Sequence, residues 1–83
     1  MFFVYLIQSE KHGTFYIGQT SSLLDRLKYH NRGKCKYTRN KGPWRLLAFK
    51  ECASRAEAMA EERRLKNLKN KEAILKEFKI NEA

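Results

Sequence analysis

The chain has 83 residues, with 18 Lys and Arg against nine Asp and Glu, for a formal net charge of +9. That length suits one small core and leaves little for a second module, so residues 1–83 read as a single domain. Cys35 and Cys52 form no paired CxxC, which argues against a structural zinc site, and no apolar run is long enough to span a membrane.

The chain opens with FFVYLIQS, Phe2 to Ser9, nearly continuous in apolarity and rich in β-branched and aromatic residues. That predicts a strand buried on both faces, in the middle of a small sheet. The start shows neither a basic n-region nor a cleavage site, so the expectation is a cytoplasmic protein with reduced thiols and no membrane partner. EKHG is a turn with Gly13 available for a positive φ. TFYIGQ, Thr14 to Gln19, reads as a second strand, antiparallel to the first across that short connection.

The period then changes. TSSLLDRLKYHN puts Leu23, Leu24 and Leu27 on one side, with Thr20, Ser21 or Ser22 to cap the start and Gly33 after the end, a helix of about ten residues. RGKCKYTRNKGP has no period and reads as a long basic loop. WRLLAFKEC is a third strand. SRAEAMAEERRLKNLKN opens with Ser54 and has Glu57 three residues on, a capping box, and runs as a helix. KEAILKEFKI is a further short helix or the tail of the same one. The order β-β-α-β-α-α describes an α+β fold, a small three-stranded antiparallel sheet flanked by helices.

The charge is concentrated. Residues 31–50 carry seven bases (Arg32, Lys34, Lys36, Arg39, Lys41, Arg45, Lys50) and no acid, while the segments on either side are each close to balance. Such a patch attracts a polyanion, and Tyr37 and Trp44 within it are candidates to stack on bases. A basic solubilising face is the plainer alternative, and Trp44 after Pro43 also reads as a core anchor that starts a strand.

Candidate chemistry begins on the first helix, where Arg26 and His30 are four apart and share a face. An Arg beside an apolar stripe can be packed and aimed at a phosphate. In the strands, Tyr5 shares a face with Phe3 and Ile7, and Tyr16 with Thr14 and Gly18. Pairing through the short turn brings both hydroxyls to one side. The second long helix offers Glu57, Glu61 and Glu62, and helical period leaves Glu61 and Glu62 equally at the edge of its apolar face.

Tyr5, the triplet Tyr16-Ile17-Gly18, Arg26, His30, then YTR (Tyr37 to Arg39), Pro43-Trp44 and EAMAEERRLK together resemble the GIY-YIG nuclease superfamily, and within it the small free-standing bacterial proteins similar to the nuclease domain of excision-repair endonucleases. The first triplet reads Phe3-Val4-Tyr5 rather than Gly-Ile-Tyr. The resemblance implies a three-stranded antiparallel sheet with helices around it and functional roles for Tyr5, Tyr16, Gly18, Arg26, His30 and Glu62. It selects Glu62 over Glu61 through the RRLK that follows. A late Asn found in many relatives has no clear counterpart, since Asn67 and Asn70 come too early.

The implied activity is hydrolysis of a phosphodiester bond in nucleic acid, DNA ahead of RNA, in repair or recombination. Glu62 would hold one Mg²⁺ or Mn²⁺, and Arg26 would neutralise the phosphate. Tyr16 would orient or deprotonate the attacking water, with Tyr5 and His30 positioning it, and Gly18 would keep the sheet surface open to the phosphate backbone. Arg32, Lys34, Lys36, Tyr37, Arg39 and Lys41 would bind flanking nucleic acid. The rival is a non-catalytic nucleic-acid-binding module that uses the same basic segment; a further one is an adaptor for an acidic protein partner.

Overall fold

The structure is a computed structural model that describes residues 1–78. Its elements, in chain order, are β1 (Phe2–Ser9), β2 (Phe15–Thr20), α1 (Leu23–Asn31), β3 (Trp44–Cys52), α2 (Arg55–Lys66) and α3 (Lys71–Glu77). The fold is α+β: one antiparallel sheet of order β2-β1-β3 with helices packed on it. The predicted first and third strands match β1 and β3. The second is displaced by one residue, from Thr14–Gln19 to Phe15–Thr20.

β1 is the central strand, and its run Val4, Tyr5, Leu6 and Ile7 is at most 2% exposed. Continuous apolarity follows from that double burial, because alternate side chains enter two different cores. Val4 and Leu6 pack with Ile17, Ala58, Leu65 and Ile74, the layer beneath α2 and α3. Tyr5 and Ile7 pack on the other face with Trp44, and Leu23, Leu27 and Tyr16 lean against them. Truncating Leu6 or Leu65 to Ala should cost about 2–5 kcal/mol on this basis.

Local signals explain the ends of the elements. Gly13 takes φ +75 in the turn between β1 and β2, and Gly33 takes the same φ after α1. Ser22 occupies the N-cap position of α1 without a side-chain cap bond; instead the Thr20 hydroxyl accepts from the Ser22 N–H at 3.1 Å. Ser54 Oγ accepts from the Glu57 N–H at 3.1 Å and starts α2. α2 ends at Lys66 rather than running on to Asn70. Lys69 adopts φ +56, and the Asn70 side chain then accepts from the Ala73 N–H to open α3 as a separate helix. The last two residues of the KEAILKEFKI helix expected from sequence, 79 and 80, lie outside the described residues.

Two expectations change. Leu24 is 72% exposed and does not join the stripe of Leu23 and Leu27, because a one-residue step turns the helix by about 100°. The basic loop is not shapeless. Arg39 N–H bonds Cys35 O at 2.9 Å and Lys41 N–H bonds Thr38 O at 3.3 Å, and this turn buries Cys35 and Thr38. Both cysteines are free thiols. Among the described residues, no helix is long and apolar enough to cross a membrane.

Candidate active site

The site lies on the sheet face that carries α1. Across the β1–β2 pair, Tyr5 is opposite Gly18 and Ile7 is opposite Tyr16, so the two phenols share that face diagonally. A Cβ built on Gly18 would meet the Tyr5 ring, with Cζ at 2.5 Å. The room over Gly18 is therefore occupied by the Tyr5 phenol; it is not left open for a phosphate backbone to approach.

α1 supplies the next two groups from its inner face. His30, only 1% exposed and in the last turn of the helix, has Nε2 at 2.8 Å from the Tyr5 hydroxyl and Nδ1 at 2.8 Å from Thr38 Oγ1. The Tyr16 ring lies tilted against the imidazole, 5.0 Å between centroids. One turn earlier, the Arg26 guanidinium sits beside the Tyr5 hydroxyl and 4.3 Å over the Tyr29 ring. Its Nε is buried and, among the described residues, has no hydrogen-bond partner. A buried, unsatisfied donor on a cation is a receptor for an anion.

Burial and charge set the protonation states. Burial pushes the Tyr5 phenol up, and the adjacent Arg26 only partly offsets this. Tyr16 is also pushed up, by burial first and then by the negative charges that Cys35 and Tyr5 would carry. Both are neutral phenols at pH 7. His30 falls to about 4, through burial and then the Arg26 charge, and is a neutral imidazole. Burial works against the Arg26 charge, but contact with the Tyr5 hydroxyl outweighs it and raises its pKa. Burial likewise raises the Cys35 thiol, yet the Thr38 side chain, the N–H groups of Tyr37 and Thr38 and the Tyr16 hydroxyl bring it below its ordinary value.

Glu61 and Glu62 part company on α2. Glu61 turns to Lys50, at 3.6 Å, and to Arg64. Glu62 is half-buried, borders a cleft with Gln19 and Met59, and its charge reaches both Tyr5 and Tyr16. Lys66 Nζ pairs with it at 2.7 Å. In the same cleft, Gln19 Oε1 is buried and has no partner among the described residues. A carboxylate next to an orphaned carbonyl oxygen is a hard-oxygen donor set that fits Mg²⁺ or Mn²⁺, ions that keep much of their coordination as water. Among the described residues, no group of three or more His, Cys, Asp or Glu forms a closed metal cage.

Tyr5 thus touches both Arg26 and His30, Tyr16 packs against His30, and Glu62 lies at the edge of the group. The basic segment is less concentrated. Tyr37, 71% exposed, and Lys41 line a groove of about 430 Å³ that runs to Tyr16, Trp44 and Lys66. Arg32 lines a different cleft, at the back of His30 and Thr38. Lys34, Lys36 and Arg39 are exposed along the turn. Trp44 is 5% exposed and anchors the start of β3, its indole N–H donating to Thr38 O at 3.0 Å, so it is not a stacking platform. Gln19, Cys35 and Thr38 were given no role in the site from sequence, although Thr38 lies in the YTR that helps carry the resemblance. Strand alternation does point Gln19 to the α2 face beside Ile17, but no period exists in the turn to mark Cys35 or Thr38.

A three-stranded antiparallel sheet with helices packed on it is the α+β fold expected of the GIY-YIG class, and the chain belongs to that family: the GIY-YIG catalytic domain matches residues 1–79. Its relatives are small bacterial proteins. It is 39% identical over 82 residues to the UPF0213 protein OB0043 of Oceanobacillus iheyensis, covering 96% of this chain and 94% of that one. It is 42% identical over 67 residues to the UPF0213 protein BH0048 of Halalkalibacterium halodurans, covering 80% and 70%. The solution NMR structure of the UPF0213 protein BH0048 from Bacillus halodurans superimposes with a TM-score of 0.54 at 37% identity, covering 88% of this chain and 79% of that one.

Proposed function

We propose that this protein is an endonuclease that hydrolyses phosphodiester bonds in DNA, acting in the cytoplasm in repair or recombination. Membership of a nuclease-domain family supports the reaction class. The observation that carries the reading is the contact of Tyr5 with both Arg26 and His30 Nε2 on a face that Tyr16 and Glu62 border.

Each group has work it can do there. Arg26, with its unsatisfied Nε, binds the scissile phosphate and offsets the charge that grows on it. The Tyr5 oxygen, with a cation on one side and a neutral imidazole acceptor on the other, takes a proton from the attacking water as its own moves to His30 Nε2. Burial, and the contact of its hydroxyl with the Cys35 sulfur, hold the Tyr16 proton in place, so this hydroxyl orients the water rather than deprotonating it. Glu62, helped by Gln19, would hold the divalent ion, Mg²⁺ or Mn²⁺, which when bound supplies Lewis-acid polarisation of the phosphate and stabilises the leaving oxygen. Tyr37 and Lys41 in the groove beside Tyr16, and Arg32, Lys34, Lys36 and Arg39 around it, hold flanking strand by stacking and charge.

One observation favours a second reading, a nucleic-acid-binding module without catalysis: Lys66 already neutralises the Glu62 carboxylate. A nicking assay on supercoiled and branched DNA with Mn²⁺, alongside a binding measurement, separates the two. Cuts lost in both Arg26→Ala and Glu62→Gln support the nuclease; binding without cuts by the unaltered protein supports the module.

A further inference from the structure

Thr38 is a small polar residue only 1% exposed, within a turn whose other side chains mostly face solvent. It is held from three directions. Its N–H bonds Cys35 O at 3.3 Å, its carbonyl accepts from the Trp44 indole at 3.0 Å, and its hydroxyl meets His30 Nδ1 at 2.8 Å. Trp44 is itself clamped: its N–H donates to Asn31 Oδ1 at 2.6 Å and its carbonyl accepts from Asn31 Nδ2 at 3.2 Å. Thr38 Oγ1 is thus a fixed point behind the imidazole.

The chain Tyr5–His30–Thr38 can be polarised in two ways. In one, Thr38 donates to Nδ1, Nε2–H donates to the Tyr5 oxygen, and the Tyr5 proton is left to face Arg26. A guanidinium has five donors and no acceptor, so that arrangement sets donor against donor in a buried place. In the other, the Tyr5 oxygen turns its lone pair to Arg26 and its proton to His30 Nε2. A neutral imidazole has one N–H, which must then sit on Nδ1 and donate to Thr38 Oγ1. The Thr38 hydroxyl proton is free to point at the neighbouring Cys35 sulfur.

We propose that Thr38 is a positioning residue that holds His30 as the Nδ1–H tautomer, so that Nε2 stands ready to accept the Tyr5 proton. The catalytic consequence rests on the nuclease reading; the tautomer is a property of the resting protein and stands apart from it. During the step, the attacking water's O–H bond breaks and its proton goes to the Tyr5 oxygen. The Tyr5 proton passes to His30 Nε2, and Nδ1–H stays bonded to Thr38. The resulting imidazolium returns the proton to solvent after the bond is cut.

The experiment is long-range ¹H–¹⁵N correlation of the imidazoles at neutral pH in ¹⁵N-labelled full chain, with His12→Gln to leave only the His30 signals, read in unaltered, Thr38→Ser and Thr38→Val proteins. The expected result is an N–H-type Nδ1 and an unprotonated Nε2 in the unaltered protein and in Thr38→Ser, with Mn²⁺-dependent nicking kept in both. Thr38→Val should show a mixed or Nε2–H tautomer and nicking at least tenfold slower at unchanged DNA affinity. An Nε2–H tautomer in the unaltered protein, or an unmoved tautomer in a folded Thr38→Val, overturns the proposal. Should the tautomer shift as expected while even the unaltered protein cuts nothing, the positioning role is supported and the nuclease reading fails.

Discussion

The Tyr5 phenol fills the volume that any side chain on Gly18 would need, directly across the β1–β2 pair. Gly18 is therefore fixed by its neighbour's ring and not by its own backbone, which needs no positive φ. Tyr5 is 2% exposed and tied to His30, so it has no easy place to move. Gly18→Ala should cost about 1–3 kcal/mol, as overpacking of a tight core does. It should also remove nicking, since the hydroxyl must leave Arg26 and His30. Thermal unfolding tests the first effect; an unchanged midpoint would show that the ring has room.

The two adjacent glutamates should behave oppositely. Glu61→Gln breaks the contacts to Lys50 and Arg64, a half-exposed network, and should lower stability by at most about 1 kcal/mol while nicking persists. Glu62→Gln leaves the fold intact but removes the charge that faces the phenols, and nicking in Mn²⁺ should vanish. The reverse pattern in a side-by-side assay would move the assignment to Glu61.

Much of this was legible in the sequence, for identifiable reasons. β1 sits between two cores, and only a continuous apolar run can supply both. Tyr5 and Tyr16 share a face because the turn at Gly13 is short, and Arg26 and His30 share one because they are four residues apart on a helix. What was hidden depends on tertiary neighbours. Period places Glu61 and Glu62 alike; Lys50 on β3 and Gln19 on β2 separate them. Thr38 and Cys35 lie in a segment whose charges suggest solvent, and they are buried because Thr38 is tied to His30 and Trp44 and Cys35 to Thr38 and Tyr16. Leu24 was placed on one side of α1 with Leu23 and Leu27, but its angle on the helix puts it outside.

His30 makes stability depend on acid. Its pKa is near 6.5 unfolded and about 4 folded, lowered by burial and then by Arg26. The unfolded chain thus takes up the proton first as pH falls. The contribution is whole above pH 6.5 and is lost progressively toward pH 4, by up to about 3 kcal/mol. Urea unfolding at several pH values should show this loss in the unaltered protein relative to His30→Gln, which shares every other titrating group. A constant difference across that range would mean that the imidazole is charged or open to water in the folded state.

The basic turn should reveal itself through salt rather than through a single affinity. Each phosphate neutralised on duplex DNA steepens the dependence of log K on log salt by about 0.9. Lys34, Lys36 and Arg39 are exposed, and among the described residues none has a carboxylate in ion-pair contact, so their charges are available to a strand. Replacing all three with Ala should flatten the slope by about 2.7 if each meets a phosphate. Lys76→Ala, an equal loss of charge per residue on α3, should leave the slope nearly unchanged, because a general loss of net charge acts weakly beyond a Debye length of about 10 Å. Titration of a fluorescent duplex from low to moderate salt gives both slopes. If the triple variant and Lys76→Ala lower the slope equally per charge removed, the +9 charge acts as a diffuse field, and the turn between α1 and β3 has no special part in binding.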